Sequence, residues 1–485
     1  MSINLISLEQ LRLSKTALWL SCLALVYSLS SANPGLTLFG LALIPIFFKL
    51  LFLPGEPPVL LFALAYQWLQ VFIPIFSANL VGLNLKNDGE PPNLDIATLL
   101  SLLTLFFLAL GMYVARQRKL RKRVAQIKID AYGFSVKRLL IAYILANLLD
   151  VGIKALELQA PGLYQPLLPL SLFRWTIVFI ILWAAQFNKR LQYFAAGVFL
   201  FEILSGLFGF FSSFKNIIFI AIIVTAMNSQ DTRRFFQFKT VLLVALTVFL
   251  ATFWQAVKID YRFFLNKGTR TQTVLVSPME QVEFLFDKVS DLTLNDLSQG
   301  LASGAERIGY VNFFARVTKI VPAHIPYQNG SLWGEAITHI FTPRLFFPKK
   351  PAIDDSERVN AFSGIVVAGA EQGTSVSLGY ATESYIDFGP IFMFIPVFAL
   401  GFFWSWSYSM LANSGKYPLL ALSFATSYIL SGAILFESSN IKLLGGAVTS
   451  LLVGWFILNY FSSRIWGLIH PSLRKIRPSE KIYLK

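Results

Sequence analysis

The sequence predicts an all-α polytopic membrane protein with about 12 transmembrane helices and one large outer loop between helices nine and ten. Of the 485 residues, 55% are hydrophobic and only 14% are charged, whereas about a quarter of the residues in an average soluble domain are charged. Long apolar runs that end at breakers recur along the chain, close to the ~20 residues that a spanning helix needs. This composition excludes a soluble enzyme and a disordered chain.

Twelve apolar runs are predicted to span the membrane. They lie at residues 16–31, 36–52, 58–77, 96–115, 139–157, 173–187, 191–211, 215–228, 240–258, 388–411, 417–436 and 442–462. The first run could instead be a signal peptide, because Arg12 and Lys15 precede a short apolar stretch that ends in small residues. The single cysteine, Cys22, lies in this run, so neither an intramolecular disulfide nor a zinc site with cysteine ligands is expected.

The distribution of basic residues predicts the side of the membrane on which each connection lies. If the N-terminus is cytoplasmic, the short segments on that side carry 23 Lys and Arg residues, whereas the opposite short loops carry only Lys86. The positive-inside rule therefore places both termini in the cytoplasm. The basic run from Arg116 to Arg123 is then a topology signal rather than a nucleic-acid site, and no nucleic-acid partner is expected.

Four regions follow from this topology. They are helices one to nine at 1–258, a large extracytoplasmic loop at 259–387, helices ten to twelve at 388–462, and a basic cytoplasmic tail at 463–485. In the loop, apolar residues recur with helical spacing from Met279 to Leu292 and from Ile308 to Ile320, which predicts amphipathic helices on the membrane surface or on the bundle. The stretch from Asp354 to Glu371 is rich in Gly and polar residues and is expected to be irregular.

Several basic residues lie at outer helix ends, where membrane targeting does not explain them. They are Lys154, Arg174, Lys215, Lys258 and Arg262. Each alone could extend to the lipid headgroups or pair with an acid such as Asp150, but together they suit an anionic lipid headgroup, above all a pyrophosphate. Glu202, in span seven, must face the bundle, where it either pairs with a cation or shapes a cavity.

The outer loop adds two polar motifs before span ten. The proline-punctuated segment 342–351 and the residues after it supply the cations Arg344, Lys349, Lys350 and Arg358. Because proline restricts the backbone, these cations could be preorganised for an anion. Segment 373–389 supplies hydroxyls and carboxylates, namely Ser375, Tyr380, Glu383 and Asp387. The alternative is an ordinary interfacial cap in which the tyrosines belong to an aromatic belt.

Residues 334–389 carry a Pro-Arg step, a Pro-x-Lys-Pro, a Thr-Ser, a Gly, a Glu and a Phe-Gly that enters a helix. These fall on Pro343, Arg344, Pro348, Lys350, Pro351, Thr374, Ser375, Gly379, Glu383, Phe388 and Gly389. In this pattern, and in its many spans with one large outer loop late in the chain, the sequence resembles the O-antigen polymerase type of polysaccharide polymerases, the oligosaccharide repeat unit polymerases. Lys215 and Asp387 depart from residues that are frequent in that family, an Arg and an Asn.

The resemblance implies the metal-independent type C glycosyltransferase fold in a bacterial inner (plasma) membrane. Such enzymes transfer a growing glycan from an undecaprenyl-pyrophosphate carrier to a lipid-linked repeat unit. It implies that Arg344, Lys350 and Arg358, with Lys215 or Arg174, bind the pyrophosphate, and that Glu383 or, as an alternative base, His339 serves the acceptor hydroxyl. The remaining predicted substrate-binding residues are Lys349, Ser375, Tyr380 and Asp387.

No metal and no cofactor are expected. The expected partners are the undecaprenyl-pyrophosphate-linked oligosaccharides and membrane lipid, together with a chain-length regulator and a flippase. Two alternatives stay open: an O-antigen-ligase-like glycan transferase, and a twelve-helix flippase or transporter of lipid-linked sugars. Transporters of this size usually consist of two repeated halves, and no such repeat is visible here, which favours the polymerase.

Overall fold

The computed structural model of the protein describes residues 15–116, 127, 130–131, 133–160, 163, 166–208, 210, 213–228, 238–269, 274–343, 346–347, 350, 353–369 and 375–470. Within these residues every regular element is helical. The first nine α-helices are α1 (Lys15–Ser30), α2 (Pro34–Leu51), α3 (Val59–Leu80), α4 (Leu94–Ala115), α5 (Val136–Gln159), α6 (Leu172–Ala185), α7 (Lys189–Leu207), α8 (Lys215–Met227) and α9 (Phe238–Leu265). A short 3-10 helix, Leu168–Ser171, precedes α6.

Ten further α-helices follow in the described residues. They are α10 (Pro278–Ser290), α11 (Leu294–Ile308), α12 (Val311–Ile320), α13 (Ser331–Phe341), α14 (Asp355–Ser363), α15 (Tyr380–Phe392), α16 (Phe394–Ala412), α17 (Pro418–Gly432), α18 (Asn440–Tyr460) and α19 (Ser462–Ile469). Helix α9 continues past the predicted end of span nine, so Tyr261 and Arg262 lie in that helix rather than in a loop.

Eight helical segments in the described residues are long and apolar enough to cross a membrane. They are Pro34–Leu51, Val59–Leu80, Leu94–Ala115, Val136–Leu156, Leu168–Ala185, Val241–Leu265, Phe394–Ala412 and Asn440–Tyr460. The predicted spans one, eight and eleven fall on shorter apolar helices, and span seven falls on α7, which carries Lys189, Arg190 and Glu202. The chain is thus a helical, multi-pass membrane protein by the character of these helices, and the number twelve stays a prediction.

Burial separates central helices from peripheral ones. Helices α6 and α8 are buried almost all round, as helices that are apolar on every side must be. Helix α9 instead leaves Val241, Val248 and Phe249 exposed, a lipid-facing stripe of the kind expected where hydrocarbon rather than protein surrounds a helix. Helix α16 packs along α4, and α17 packs on α6.

The two predicted amphipathic helices occur, and they use their apolar faces differently. On α10, Met279, Phe286 and Val289 point away from the protein, and Phe286 is 70% exposed. On α12, Val311, Phe314 and Val317 are fully buried, and the helix packs on α4. Thus α12 lies on the bundle, whereas α10 presents an apolar face to its surroundings, as the membrane-surface alternative requires.

One expectation about the loop was wrong. The stretch from Asp354 to Glu371 is not irregular throughout, because α14 begins there with Asp354 as its N-cap, whose Oδ1 accepts from the Ser356 backbone N–H at 3.0 Å. A further helix begins at Tyr380, before the predicted start of span ten. Gly389 interrupts it with φ of +72°, a value that glycine adopts without strain, and Pro390 follows.

Candidate functional site

Three helix ends bring acidic and basic side chains together at one end of the bundle. Helix α15 supplies Glu383, helix α14 supplies Asp355 and Arg358, and the first turn of α18 supplies Asn440 and Lys442. Asp355 and Arg358 are three residues apart and therefore lie on the same side of α14. We call these five residues the carboxylate cluster.

Glu383 is fully buried at the centre of this cluster. Its Oε1 accepts from Nη1 of Arg358 at 3.1 Å, and its Oε2 accepts from the backbone N–H of Asn440 at 2.8 Å. Burial raises the pKa of Glu383 to about 7, although Arg358 and the Asn440 N–H act in the opposite direction and Asp355 adds to the rise. Glu383 can therefore take up and release a proton near neutral pH, as a general base must.

Arg358 connects this buried carboxylate to the surface. Its Nη2 donates to Oε2 of Glu335 on α13 at 2.7 Å, and the Glu335 side chain is 61% exposed. Both ends of the guanidinium are thus engaged with carboxylates, one buried and one open to solvent. Glu335 thus lies on the solvent side of the carboxylate cluster, in contact with its member Arg358.

Asp355 is the second buried carboxylate. Its Oδ2 accepts from Oγ of Ser377 at 2.5 Å and from Oγ of Ser439 at 3.0 Å, and it forms an ion pair with Nζ of Lys442 at 2.8 Å. Lys442 also donates to Oγ of Ser375 at 2.8 Å. Ser375, a predicted substrate-binding residue, therefore lies at the exposed edge of the cluster.

Four cations form a second group, which we call the basic cluster: Lys215, Lys258, Arg262 and Arg307. The charge of Arg307 acts electrostatically on the other three. Arg262 donates to the backbone carbonyl of Phe210 at 3.2 Å, and Lys258 donates to Gln255. Within the described residues, Lys215, Lys258 and Arg307 form no salt bridge with a carboxylate.

Close packing of α11 on α9 brings Arg307 to this position. Gly300 and Gly304 are the buried residues of α11. A Cβ at Gly300 would lie 2.6 Å from the backbone oxygen of Thr252 on α9, so only glycine allows the two helices to approach this closely. Arg307 follows on the next turn of α11, beside the Lys258 and Arg262 end of α9.

Tyr310 and Glu437 join the two clusters. Tyr310 donates its hydroxyl to the backbone carbonyl of Ser377. Burial raises the pKa of Tyr310, and the charges of Glu437 and Asp355 add to that rise while Arg307 opposes it. Glu437 also acts on Lys215 and accepts from Nε2 of Gln70 at 2.6 Å. Charged residues of both clusters, Arg307 and Asp355, thus act electrostatically on Tyr310.

Two predicted substrate-binding residues on α15 have local structural partners. Both carboxylate oxygens of Asp387 accept from backbone N–H groups in the first turn of α13, those of Leu332 at 3.1 Å and Trp333 at 2.9 Å. Tyr380 is buried, and its hydroxyl donates to Oε1 of Gln67 on α3 at 2.7 Å. In this structure Asp387 caps a helix and Tyr380 ties α15 to the bundle.

Lys350 and His339 lie together at the C-terminal end of α13. Nζ of Lys350 donates to the carbonyls of His339 and Thr342 at 3.0 and 2.9 Å, and to Oγ1 of Thr342 at 2.8 Å. A cation at this position satisfies helix-end carbonyls and complements the helix dipole. The His339 ring lies near Gly445 of α18. The predicted residues Arg344 and Lys349, with Pro348, Pro351 and Thr374 of the motif, lie outside the described residues.

Arg174 belongs to a separate group between α5, α6 and α7. Its guanidinium pairs with Oε2 of Glu202 at 2.5 Å and with Oδ2 of Asp150 at 3.2 Å. Lys154 also pairs with Asp150, and the Tyr143 hydroxyl donates to Glu202. Of the two alternatives for Glu202, pairing with a cation is the one observed, and Arg174 is not among the residues of either cluster.

Sequence reasoning missed several members of the site: Glu335, Asp355, Arg307, Glu437, Asn440 and Lys442. Among the described residues, no group of three or more His, Cys, Asp or Glu could hold a metal ion. Glu383 can exchange a proton, and the neighbouring cations can stabilise negative charge.

The model of a family described as a domain of unknown function (DUF8712) matches residues 97–465, more than half of the chain. The matched range runs from α4 to α19 and includes both clusters. No curated protein and no solved structure matches the chain.

Proposed function

The chain belongs to the DUF8712 family, a domain of unknown function, and we propose from the site together with the sequence resemblance that it is a membrane glycosyltransferase that polymerises lipid-linked oligosaccharides. The growing glycan on an undecaprenyl-pyrophosphate carrier is transferred to the terminal sugar of a lipid-linked repeat unit. The observation that supports this most directly is a buried glutamate, Glu383, whose pKa burial raises to about 7, in a protein that also gathers four cations in the basic cluster. The sequence resemblance to polysaccharide polymerases points to the same reaction.

The reaction needs one base and a site for the leaving group. The acceptor hydroxyl oxygen attacks the anomeric carbon of the donor glycan, its proton passes to Glu383, and the bond from the anomeric carbon to the pyrophosphate oxygen breaks. The electron pair stays on the pyrophosphate, whose increasing charge is stabilised by Lys215, Lys258, Arg262 and Arg307. Preorganised cations are effective here because they need not reorient as the charge develops.

Glu383 has no exposed surface in this structure, so the acceptor must reach it through a rearrangement. Arg358 covers Glu383 and is itself held by the exposed Glu335. We expect the anionic donor to compete for Arg358, which would weaken its contact with Glu383 and expose the carboxylate. The proposed role of Arg358 is thus to bind pyrophosphate in the loaded state and to neutralise Glu383 in the empty one.

The topology proposed with this function has twelve spans, both termini in the cytoplasm and residues 259–387 outside a bacterial inner membrane. It rests on the 23 short-segment cations on one side against Lys86 on the other. Cysteine labelling tests it in a Cys22→Ser background. A membrane-impermeant reagent should label Asp354→Cys on intact cells and should reach Gln126→Cys only after the membrane is opened; the reverse pattern would contradict the orientation.

The lipid-linked glycans of a deletion strain distinguish the proposed polymerase from its alternatives. Loss of a polymerase leaves single repeat units on the carrier outside the membrane. Loss of a ligase leaves full-length polymer that is not attached to its final acceptor, and loss of a flippase leaves single units inside. Mass analysis of the carrier-linked glycan distinguishes these three results. It is done with and without a membrane-impermeant reagent that modifies only the sugars outside the membrane. Accumulated full-length polymer, or single units that stay inside, would overturn the proposed function.

A further inference from the structure

The two oxygens of Asp355 are in unequal surroundings. Oδ2 has three donors, from Ser377, Ser439 and Lys442. Oδ1 is buried and has no hydrogen-bond partner among the described residues. A buried polar atom without a partner costs about 1 to 3 kcal/mol, so the Oδ1 side of this carboxylate is a feature that needs an explanation beyond the contacts of Oδ2.

Asn440 shows the same feature beside it. The residue is fully buried, and neither Oδ1 nor Nδ2 of its side chain has a hydrogen-bond partner in the described part of the chain. Its backbone N–H, however, donates to Glu383, and the preceding residue, Ser439, donates to Asp355. Three polar atoms without hydrogen-bond partners thus belong to Asp355 and to Asn440, the residue that contacts Glu383. Such groups are concentrated at functional positions.

Residues of the same two helices, α14 and α18, surround both Asp355 and Glu383. Helix α14 carries Asp355 and also Arg358, the partner of Glu383. The start of α18 contacts Asp355 through Lys442 and Glu383 through Asn440. Any displacement of Asp355 must therefore move the groups that surround Glu383.

We propose that Asp355 is a positioning residue for Glu383, fixing the place of that carboxylate through α14 and α18. This inference rests on the proposed function, because it gives Glu383 the role of base. Its content is that a second carboxylate, which touches neither substrate nor the reacting atoms, holds the base in place.

The charges around Glu383 determine the direction of the effect. Arg358 from α14 favours the ionised form of Glu383, as does the Asn440 N–H from α18, whereas Asp355 disfavours it. Lys442 neutralises part of the Asp355 charge, and Glu335 on α13 neutralises part of the Arg358 charge. We therefore expect Glu383 to become a stronger acid when the charge of Asp355 is removed, and a weaker one when Lys442 no longer neutralises that charge.

The test is the pH dependence of Glu383 in Asp355→Asn and in Lys442→Met. Asp355→Asn can still accept from the two serines, so the fold should be kept. We expect the acidic limb of the polymerisation rate to move to lower pH in Asp355→Asn, with the ratio of rates at pH 6 and pH 8 increasing about two- to threefold. In Lys442→Met the limb should move to higher pH. Glu357→Gln removes an exposed charge from the same helix and should leave the limb in place.

Infrared spectroscopy provides a measurement that does not depend on activity. The carboxyl C=O band that disappears in Glu383→Gln reports the protonated form of Glu383, and its pH midpoint should move in the same directions in the two variants. If the wild-type protein does not polymerise lipid-linked units, the proposed function fails while this measurement still decides the role of Asp355. A midpoint that is unchanged in both variants, or that rises in Asp355→Asn, would overturn the proposal; if Asp355→Asn does not fold, Lys442→Met decides alone.

Discussion

Replacement of Arg358 should separate stability from catalysis at the proposed site. Arg358 makes two ion pairs that differ in burial: the Glu383 side chain is 1% exposed and the Glu335 side chain is 61% exposed. Arg358→Met removes both pairs while keeping much of the side-chain volume. Glu335→Gln removes only the exposed pair and is the matched control.

The two changes should differ several-fold in their effect on the free energy of unfolding. Removing one partner of a buried ion pair leaves a buried charge without compensation, which costs about 3 to 5 kcal/mol. An exposed ion pair contributes about 0 to 1 kcal/mol. We therefore expect a loss of about 3 to 5 kcal/mol in Arg358→Met and at most about 1 kcal/mol in Glu335→Gln. The double variant Arg358→Met/Glu383→Gln should regain most of that loss, because neither charge is left.

Unfolding in mixed detergent and SDS micelles, followed by circular dichroism, measures these differences. The loss in Arg358→Met should be smaller at pH 5 than at pH 9, since Glu383 without its cation takes up a proton and becomes neutral at the lower pH. Polymerisation should be lost in both Arg358→Met and the double variant, although the double variant is well folded. That combination distinguishes a catalytic role from a structural one.

Three results would contradict this reasoning. If Arg358→Met and Glu335→Gln destabilise the protein equally, the buried ion pair contributes no more to the free energy of unfolding than the exposed one. If the double variant is as unstable as Arg358→Met, the cost does not come from an uncompensated charge on Glu383. A stable double variant that still polymerises would remove both residues from the mechanism.

Three further predictions concern the basic cluster, the pH dependence of stability and helix α10. Arg307→Ala should lower the initial rate of polymerisation by about 10² to 10³, whereas Arg316→Ala, an exposed change on α12, should stay near wild type. The pKa of Glu383 is raised to about 7 from its ordinary 4.5, so its contribution to stability is present below pH 4.5 and is lost as pH rises through 7. The free energy of unfolding of the wild type should therefore fall relative to that of Glu383→Gln across this pH range. Unfolding free energies that change with pH in the same way in both proteins would contradict this. A spin label at Met279 should be more accessible to oxygen than one at Glu283, as α10 in the membrane interface requires; equal accessibility would place that face in water.

The membrane helices could be predicted from the sequence because hydrocarbon imposes a length and a composition on each span. The predicted span 36–52 and the observed Pro34–Leu51 agree to within two residues at each end. Helix α11 escaped prediction because its contact with α9 is made by Gly300 and Gly304 rather than by large apolar residues. The hydrophobic periodicity therefore begins only at Ile308, and Arg307 was left in an unassigned stretch.

The site was predictable where its residues lie within a motif or at the outer end of an apolar run, as Lys215, Lys258 and Arg262 do. Glu383 stands in the segment that enters span ten, but Asp355 lies in a stretch expected to be irregular. A signal was present there: an aspartate N-cap followed by acidic residues in the first turn, which is typical of a helix start. Lys442 lies at the edge of an apolar run, so it was assigned to a span. It contacts Asp355, which is far from it in the sequence, and local sequence patterns do not predict such contacts.

The most direct test of the proposed function is polymerisation by the purified protein in vesicles that contain only lipid-linked repeat units. We predict that the wild-type protein lengthens the glycan and releases one undecaprenyl pyrophosphate for each new bond, in EDTA as well as in its absence. Glu383→Gln, folded to the same extent, should leave single repeat units. The account would be contradicted if the wild-type protein leaves the repeat units unlengthened, or if Glu383→Gln makes polymer at the wild-type rate.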